Sequence, residues 1–475
     1  MIRHILRSPS RWRLPACAGL IVASWAAGAW AQDGLRVYRE QLRVELDQQT
    51  PQMREMTFDA GGWFNFAFFK YNDAQSGKWR TLREYDLRGW ASMSLGGVHR
   101  AYVRGLTRWD DWNSGTNPAG DGDDNDDDDQ RLERAWYQFD LGQLIQNQTG
   151  QRPPVRFRAK VGREYAEIGS ALVLAMPMDL VQVNLDADNW SFMGLLGKTI
   201  THTPNIDSSP AIQDHQDRCL WGVQATYRGL EQHQPFAYFL NNQDNTKPWG
   251  RHDPDQAFEY SSRYVGAGST GSLILPDLRY VTEVVGEWGK TYSDGVAAGR
   301  DNIEAMALDV LLEYLFRCRT HPKVSVEYLF GSGDADRQST ATGTVGGNRP
   351  GTEDHAFNAF GFRDTGIAFS PRASNLHIYS AGASFFPLEH IRLLKKMEVG
   401  TKAFWYNKAR ADGAISDTTA TNDARWVGWE WDVYCNWRIT SDLTWTVRYG
   451  AFRPGEAFEN DDCRQFLYTA ITYSF

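Results

Sequence analysis

The chain has 475 residues, 50 Lys and Arg against 59 Asp and Glu for a net charge of −9, and 13% aromatics, with 19 Trp, 20 Tyr and 24 Phe. Mean hydropathy is −0.52. That balance is too rich in large apolar groups for disorder, holds no apolar run long enough for a helical span after residue 31, and argues against nucleic acid as a partner.

In chain order, Arg3, Arg7, Arg11 and Arg13 precede an apolar stretch over 14–30 that closes on Ala29-Trp30-Ala31. A charged start, a short apolar run and a small-x-small ending predict a secretory signal over 1–31, with the mature chain starting at Gln32. Leu14-Pro15-Ala16-Cys17 looks like a lipoprotein box but precedes the apolar run, so lipidation is rejected. Residues 32–57, charged and carrying Pro51, read as a periplasmic lead-in to a barrel over 58–475. Cys219, Cys318, Cys435 and Cys463 allow three disulfide pairings, which spacing leaves open.

From residue 58 on, segments of about ten residues alternate polar and apolar with period two. In the segment 155–161, Val155, Phe157, Ala159 and Val161 share one face and Arg156, Arg158 and Lys160 the other, because strand side chains alternate. The same pattern recurs over 100–109, 323–330, 397–405 and 443–449. Val427, Trp429, Trp431, Val433, Cys435 and Trp437 form an apolar face opposite Glu430, Asp432 and Asn436. The segment 308–316 is more continuously apolar and also fits a helix. Read as a strand, it sets Asp309 and Glu313 on the face opposite Leu308, Val310 and Leu312.

Connections alternate in length. After an intermediate 72–78, long stretches at 112–130, 200–217, 242–257, 289–301, 331–373, 407–424 and 453–463 alternate with tight turns at 95–98, 187–189, 229–233, 318–322 and 439–442; turns at 142–153 and 387–394 are longer. A soluble sandwich would alternate too, but short turns at one end and long loops at the other mark an outer-membrane barrel. The last strand, with Leu467, Thr469, Ile471, Tyr473 and Phe475 on one face, resembles an outer-membrane assembly signal. The expected fold is all-β: a transmembrane antiparallel barrel of about eighteen strands with short periplasmic turns and long extracellular loops, wide enough for an aqueous bore.

The inward faces then define a channel. Early strands place Arg88, Arg100, Arg104, Arg108, Arg134, Arg156, Arg158 and Lys160 there. Later strands place Glu283, Glu287, Asp309, Glu313, Glu327, Glu398, Glu430 and Asp432. Glu84, Asp86 and Asp140 interrupt the first set, and Lys396, Lys402 and Arg448 the second. Facing walls of opposite sign orient polar solutes, and arginine rows bind carboxylates. With no nearby carboxylate apparent on the strand that holds Arg156, Arg158 and Lys160, the basic wall is expected to favour acidic solutes; the contrary reading is that the charges are salt-bridge ladders that stiffen the wall. Trp90, Tyr102, Trp136, Phe404, Tyr406 and Tyr434 share the inward faces, either as surfaces for sugar rings or as buttresses for inward-folded loops.

Asp121, Asp123, Asn125 and Asp127 lie in a run whose spacing resembles part of a calcium loop, though Leu132 stands where the closing Glu belongs; a solvated charge run is the other reading. No other cofactor is expected. The histidines, including His202, His215, His252 and His355, fall mainly in predicted loops, with His99 and His377 near strand ends. No Ser/His/Asp spacing stands out, so no enzyme is expected. The longest loop, 331–373, ends in an aromatic run over 357–369 that suits an ordered constriction inside the bore.

The stretches Leu132-Glu133-Arg134-Ala135-Trp136-Tyr137-Gln138-Phe139, Val161-Gly162-Arg163-Glu164 and Thr365-Gly366-Ile367-Ala368-Phe369-Ser370-Pro371, running into Asn375-Leu376-His377, carry a resemblance over 58–475 to the alginate-export family of outer-membrane porins. The resemblance implies an eighteen-stranded barrel in the outer membrane whose basic lumen passes an anionic polysaccharide between gated mouths. The acidic later wall and the Asp-rich loop depart from it. Partners expected are outer-membrane lipid, the barrel-assembly machinery and an acidic polysaccharide or other polar solute. The competing function is a surface adhesion or binding barrel that uses its long acidic loops, with the lumen plugged.

Overall fold

The computed structural model describes residues 56–475 apart from 75, 118–127, 201–202, 204, 210–211, 213–215, 248–258, 293–299, 338–339 and 344–347. The expected signal over 1–31, the lead-in up to residue 55, the candidate calcium ligands Asp121, Asp123, Asn125 and Asp127, and His202, His215 and His252 lie outside the described residues.

Among the described residues, eighteen antiparallel strands close into one sheet. They are β1 (Met56–Asn72), β2 (Trp79–Leu95), β3 (His99–Trp112), β4 (Asp128–Asp140), β5 (Val155–Ile168), β6 (Leu174–Ala187), β7 (Trp190–Thr199), β8 (Arg218–Tyr227) and β9 (His233–Asp244). The second half comprises β10 (Tyr260–Ser272), β11 (Leu278–Tyr292), β12 (Arg300–Leu315), β13 (Lys323–Gly331), β14 (Leu376–Phe385), β15 (Met397–Lys408), β16 (Trp426–Arg438), β17 (Leu443–Pro454) and β18 (Arg464–Ser474). Each strand pairs with its neighbours in sequence, and β1 pairs with both β2 and β18, so no edge is left open. That closure is what a backbone needs in hydrocarbon, where unpaired N–H and C=O groups find no water.

The outward faces carry Val161, Val181, Leu196, Trp221, Val223, Trp405, Trp429 and Trp431, all exposed. Such a skin is stable only where the solvent is lipid. The segment 308–316 is strand through Leu315, paired to β11 and β13. Two connections break the expected pattern: 169–173 is short although it lies on the long-loop end, and 273–277 is a further periplasmic turn. β1 starts at Met56, two residues ahead of the expected boundary, and the longest loop runs 332–375. The turn after β4 contains a helix, α1 (Leu141–Thr149), capped by the Asp140 side chain accepting from Gln143 N at 2.8 Å and ended by Gly150 at φ 73°.

Val427 leaves the outward apolar row. Tyr406 pairs with Gly428 but Asn407 with Trp426, so Val427 is the extra residue of a bulge; Gly428 sits at φ 137°, and Val427 turns inward, fully buried. It joins a core that lies inside the cylinder, where Leu174, Leu220, Tyr264, Phe404 and Phe452 of the wall pack with Phe357, Phe360 and Phe369 of loop 332–375.

Candidate functional site

By strand parity the wall candidates share the faces that carry the buried side chains, and the two sets do different things. On the basic side, Arg88 lies between Asp86 (2.8 Å) and Glu133 (3.0 Å), and Arg104 reaches the same Glu133 at 2.8 Å. Arg108 meets Asp86 at 2.8 Å and Glu84 at 3.5 Å; Arg134 meets Glu164 at 3.3 Å. Arg100 is half-buried between Ser94 and Gln138 in register.

The expectation that the strand holding Arg156, Arg158 and Lys160 supplies no nearby carboxylate is wrong, and the neighbouring strands supply two more. Arg156 pairs with Asp140 at 2.8 Å, Arg158 with Asp186 at 2.8 Å and Lys160 with Glu164 at 3.1 Å. Asp186 belongs to β6, opposite Arg156 in register. Glu164 lies on β5 itself, four residues past Lys160, and the alternation alone could have found it. Glu133 could not be found that way: a bulge after Arg104 lets Glu133 and Arg134, adjacent in sequence, both turn inward. These three pairs still keep part of their surface: side-chain exposure is 28% for Arg156, 24% for Arg158 and 19% for Lys160.

The acidic wall is covered at Glu283, Glu287, Asp309, Glu430 and Asp432. Glu283 is fully buried and accepts from Ser170 N at 2.8 Å, with the Ser170 and Tyr238 hydroxyls on the same carboxylate. Glu287 accepts from Tyr260 Oη at 2.7 Å and from Asn358 N at 3.0 Å, and Asp309 from Arg363 Nε at 2.7 Å. Lys402 bridges Glu327 and Asp364, each at 3.1 Å. Glu430 accepts from three consecutive backbone N–H groups: Ile367 (2.6 Å), Ala368 (2.6 Å) and Phe369 (2.9 Å). Asp432 is buried on the same inward face. Glu313 and Glu398 lie toward the periplasmic end, near Lys323 (3.5 Å) and Tyr434 Oη (3.5 Å).

Asn358, Arg363, Asp364 and 367–369 all belong to loop 332–375, so the acidic wall is its docking surface. The cradle around Glu430 needs its glycine: Gly366 sits at φ 103°, and a Cβ there would come within 2.7 Å of the carboxylate. Tyr406 Oη donates to the Thr365 carbonyl at 2.8 Å, and Phe369 stacks on Phe452 with centroids 4.2 Å apart. At the loop's other root Arg372 donates to the carbonyls of Ile206 (2.8 Å) and Asn205 (3.1 Å); burial pushes its guanidinium down to about 10, Asp207 opposing. Charge-assisted bonds contribute roughly 1.5–3 kcal/mol each and a buried Phe about 1.5–3 kcal/mol, so this loop is firmly held.

The inward aromatics divide the same way. Phe404 and Tyr406 are buried beneath the loop. Trp90, Tyr102 and Trp136 form a row at the periplasmic end, with Trp90–Tyr102 at 6.2 Å and 16° and Tyr102–Trp136 at 5.7 Å and 17°. Lys160 Nζ lies 4.6 Å over Trp136. Rings that face one another turn their edges to the bore, which leaves little face for a sugar to stack on. Tyr434 lies over Gly400. The cysteines at 219, 318, 435 and 463 are free thiols. Among the described residues, no group of three or more His, Cys, Asp or Glu could hold a metal ion.

A family model described as alginate export matches residues 81–470. No curated protein matches the chain. Solved structures with the same fold include Pseudomonas aeruginosa OccK8 (OprE), at TM-score 0.52 and 11% identity over 88% of this chain and 98% of that one. Pseudomonas aeruginosa OccK2 (OpdF) in complex with glucuronate matches at TM-score 0.54 and 11% identity, with the same coverage. The outer membrane protein opdK of that organism matches at TM-score 0.51 and 9% identity, over 88% and 99%.

Proposed function

The chain belongs to the alginate-export family, which makes it an outer-membrane channel for polar or anionic solutes and not an enzyme, and from that premise we propose that it passes anionic polysaccharide of the alginate kind, or other acidic solutes, along the basic wall of its bore. The observation that carries this reading is the contrast in exposure: the side chains of Arg156, Arg158 and Lys160 are 19–28% exposed, whereas Glu283 and Glu430 are wholly covered. Arg156 and Lys160 are more exposed than their carboxylates Asp140 (8%) and Glu164 (10%), and guanidinium and ammonium groups recognise carboxylates. The glucuronate held by OccK2, a barrel of the same fold, is a carboxylated sugar and supports this solute class.

Reversal potentials across planar bilayers under a salt gradient test it. Replacing Arg156, Arg158 and Lys160 with Gln leaves Asp140, Glu164 and Asp186 without those partners, so selectivity moves toward cations. Unchanged selectivity ends the reading. Alginate oligomers are expected to interrupt the current more than neutral oligosaccharides of equal length.

The packed loop core favours one alternative, a binding barrel with a closed bore. Such a barrel carries no current in the same bilayers. Residues 1–31 are proposed to leave as a secretory signal, with Gln32 then read as the first residue of protein from outer membranes. Asp121, Asp123, Asn125 and Asp127 are proposed as a calcium loop, to be dismissed if calcium leaves the thermal midpoint unmoved.

A further inference from the structure

The periplasmic rim is uneven. Beneath the early strands it has the tight connections 96–98, 188–189 and 228–232, besides α1. Beneath β10–β16, turns 273–277, 316–322 and 386–396 are tied into one ledge. Leu315 N donates to the Asp277 carbonyl at 3.0 Å and Phe386 N to the Thr320 carbonyl at 2.8 Å. The last of these turns carries Ile391, 40% exposed, and Leu393, 57% exposed, interleaved with exposed Arg392, Lys395 and Lys396; Lys396, expected on an inward strand face, stands in the turn ahead of β15 instead. Among the described residues, these three cations form no ion pair.

Trp437 fixes where this turn points. It belongs to the outward row of β16 with Trp429 and Trp431, and its indole N–H donates to the Leu393 carbonyl at 3.1 Å. The turn therefore curls out over the lipid-facing skin instead of beneath the bore. Trp437 also packs edge-on against Trp445 at 6.3 Å, at the strand ends where an aromatic belt marks the membrane boundary. Apolar side chains alternating with long cations at that height suit a leaflet surface: the former enter acyl chains while the latter reach phosphates.

We propose that turn 386–396 is a docking surface for anionic phospholipid of the periplasmic leaflet, with Ile391 and Leu393 in the acyl region and Arg392, Lys395 and Lys396 on headgroup phosphates. Charge complementarity and continuity with the lipid-facing wall select this occupant. The test uses the full chain in nanodiscs of phosphatidylcholine with and without phosphatidylglycerol, and native mass spectrometry to count lipid kept after detergent release. Wild type keeps phosphatidylglycerol in preference. The R392Q/K395Q/K396Q variant loses that preference by about fivefold per removed charge while its bilayer conductance, which reports a folded barrel, stays unchanged. I391S/L393S lowers retention of both lipids alike. Equal retention of the two lipids by wild type overturns the proposal, as does undiminished phosphatidylglycerol retention by the triple variant. A periplasmic protein held by this turn without any lipid preference gives the first of those results.

Discussion

The basic wall of β2–β5 and the acidic wall of β11–β16 carry comparable charge, yet the centre of the acidic wall is sealed while Arg156, Arg158 and Lys160 of the basic wall keep part of their surface. On the basic side the partners come from the wall itself, as with Arg88 and Glu133 or Arg156 and Asp140, and the ladder stays partly wet. At the centre of the acidic side the partners come from a loop, as with Asp309 and Arg363 or Glu430 and the N–H groups of 367–369, and those carboxylates are sealed, whereas Glu313 pairs with Lys323 of the wall and stays partly exposed. Inward parity says which way a side chain points; whether a solute reaches it is decided by what else has folded into the cylinder.

The contrast breaks most readily at Phe369. Phe369→Ala removes a ring stacked on Phe452 and costs about 3–5 kcal/mol of packing. Limited proteolysis is expected to cut within 357–372 and single-channel conductance to rise; a variant that resists protease and conducts as before would show that the loop does not cover the acidic wall. A milder break is Glu430→Gln, which keeps an acceptor but loses the charge, about 1.5–3 kcal/mol. Hydrogen exchange at the Ile367, Ala368 and Phe369 amides should speed up while distant strand amides stay protected.

Two further measurements sharpen the contrast without unfolding anything. Asp140→Asn together with Asp186→Asn frees Arg156 and Arg158, so the reversal potential should move toward anions. Stability should change by no more than about 0–1 kcal/mol per pair, since Asn still caps α1. The smallest effect is ionic. Raising salt from about 0.1 to about 1 M shortens the screening length from roughly 10 to 3 Å, which should erode selectivity while leaving protease resistance of the loop intact. Equal salt sensitivity of the two would erase the distinction between the walls.

The barrel was legible because lipid imposes period two on every strand and loop lengths alternate between the two ends. The alternation puts the sixteen charged wall residues on one set of strand faces, and eight of them, Arg88, Arg104, Arg134, Glu283, Glu287, Asp309, Glu430 and Asp432, are buried there. It failed where the backbone departs from strict pleating: the bulge at Gly428 turned Val427 inward, and the one after Arg104 brought Glu133 inward beside Arg134. It also could not assign partners, because Arg158 and Asp186 are 28 positions apart and meet only through strand pairing. The stretch 365–371, singled out as a family resemblance, proved to be the segment that Glu430 holds; nothing in its own composition shows that a carboxylate about sixty positions downstream binds its backbone.

Arg363 has a mechanical consequence. From a loop rooted between β13 and β14 it reaches Asp309 on β12 and the Ser170 hydroxyl at 2.6 Å, while Ser170 itself is bonded to Glu283 of β11. Through these two bonds one side chain joins the connection between β5 and β6 to β12, arcs of the ring that are not neighbours in the sheet. Roundness and aperture therefore share one fastening, and loosening it to admit a larger cargo also softens the hoop.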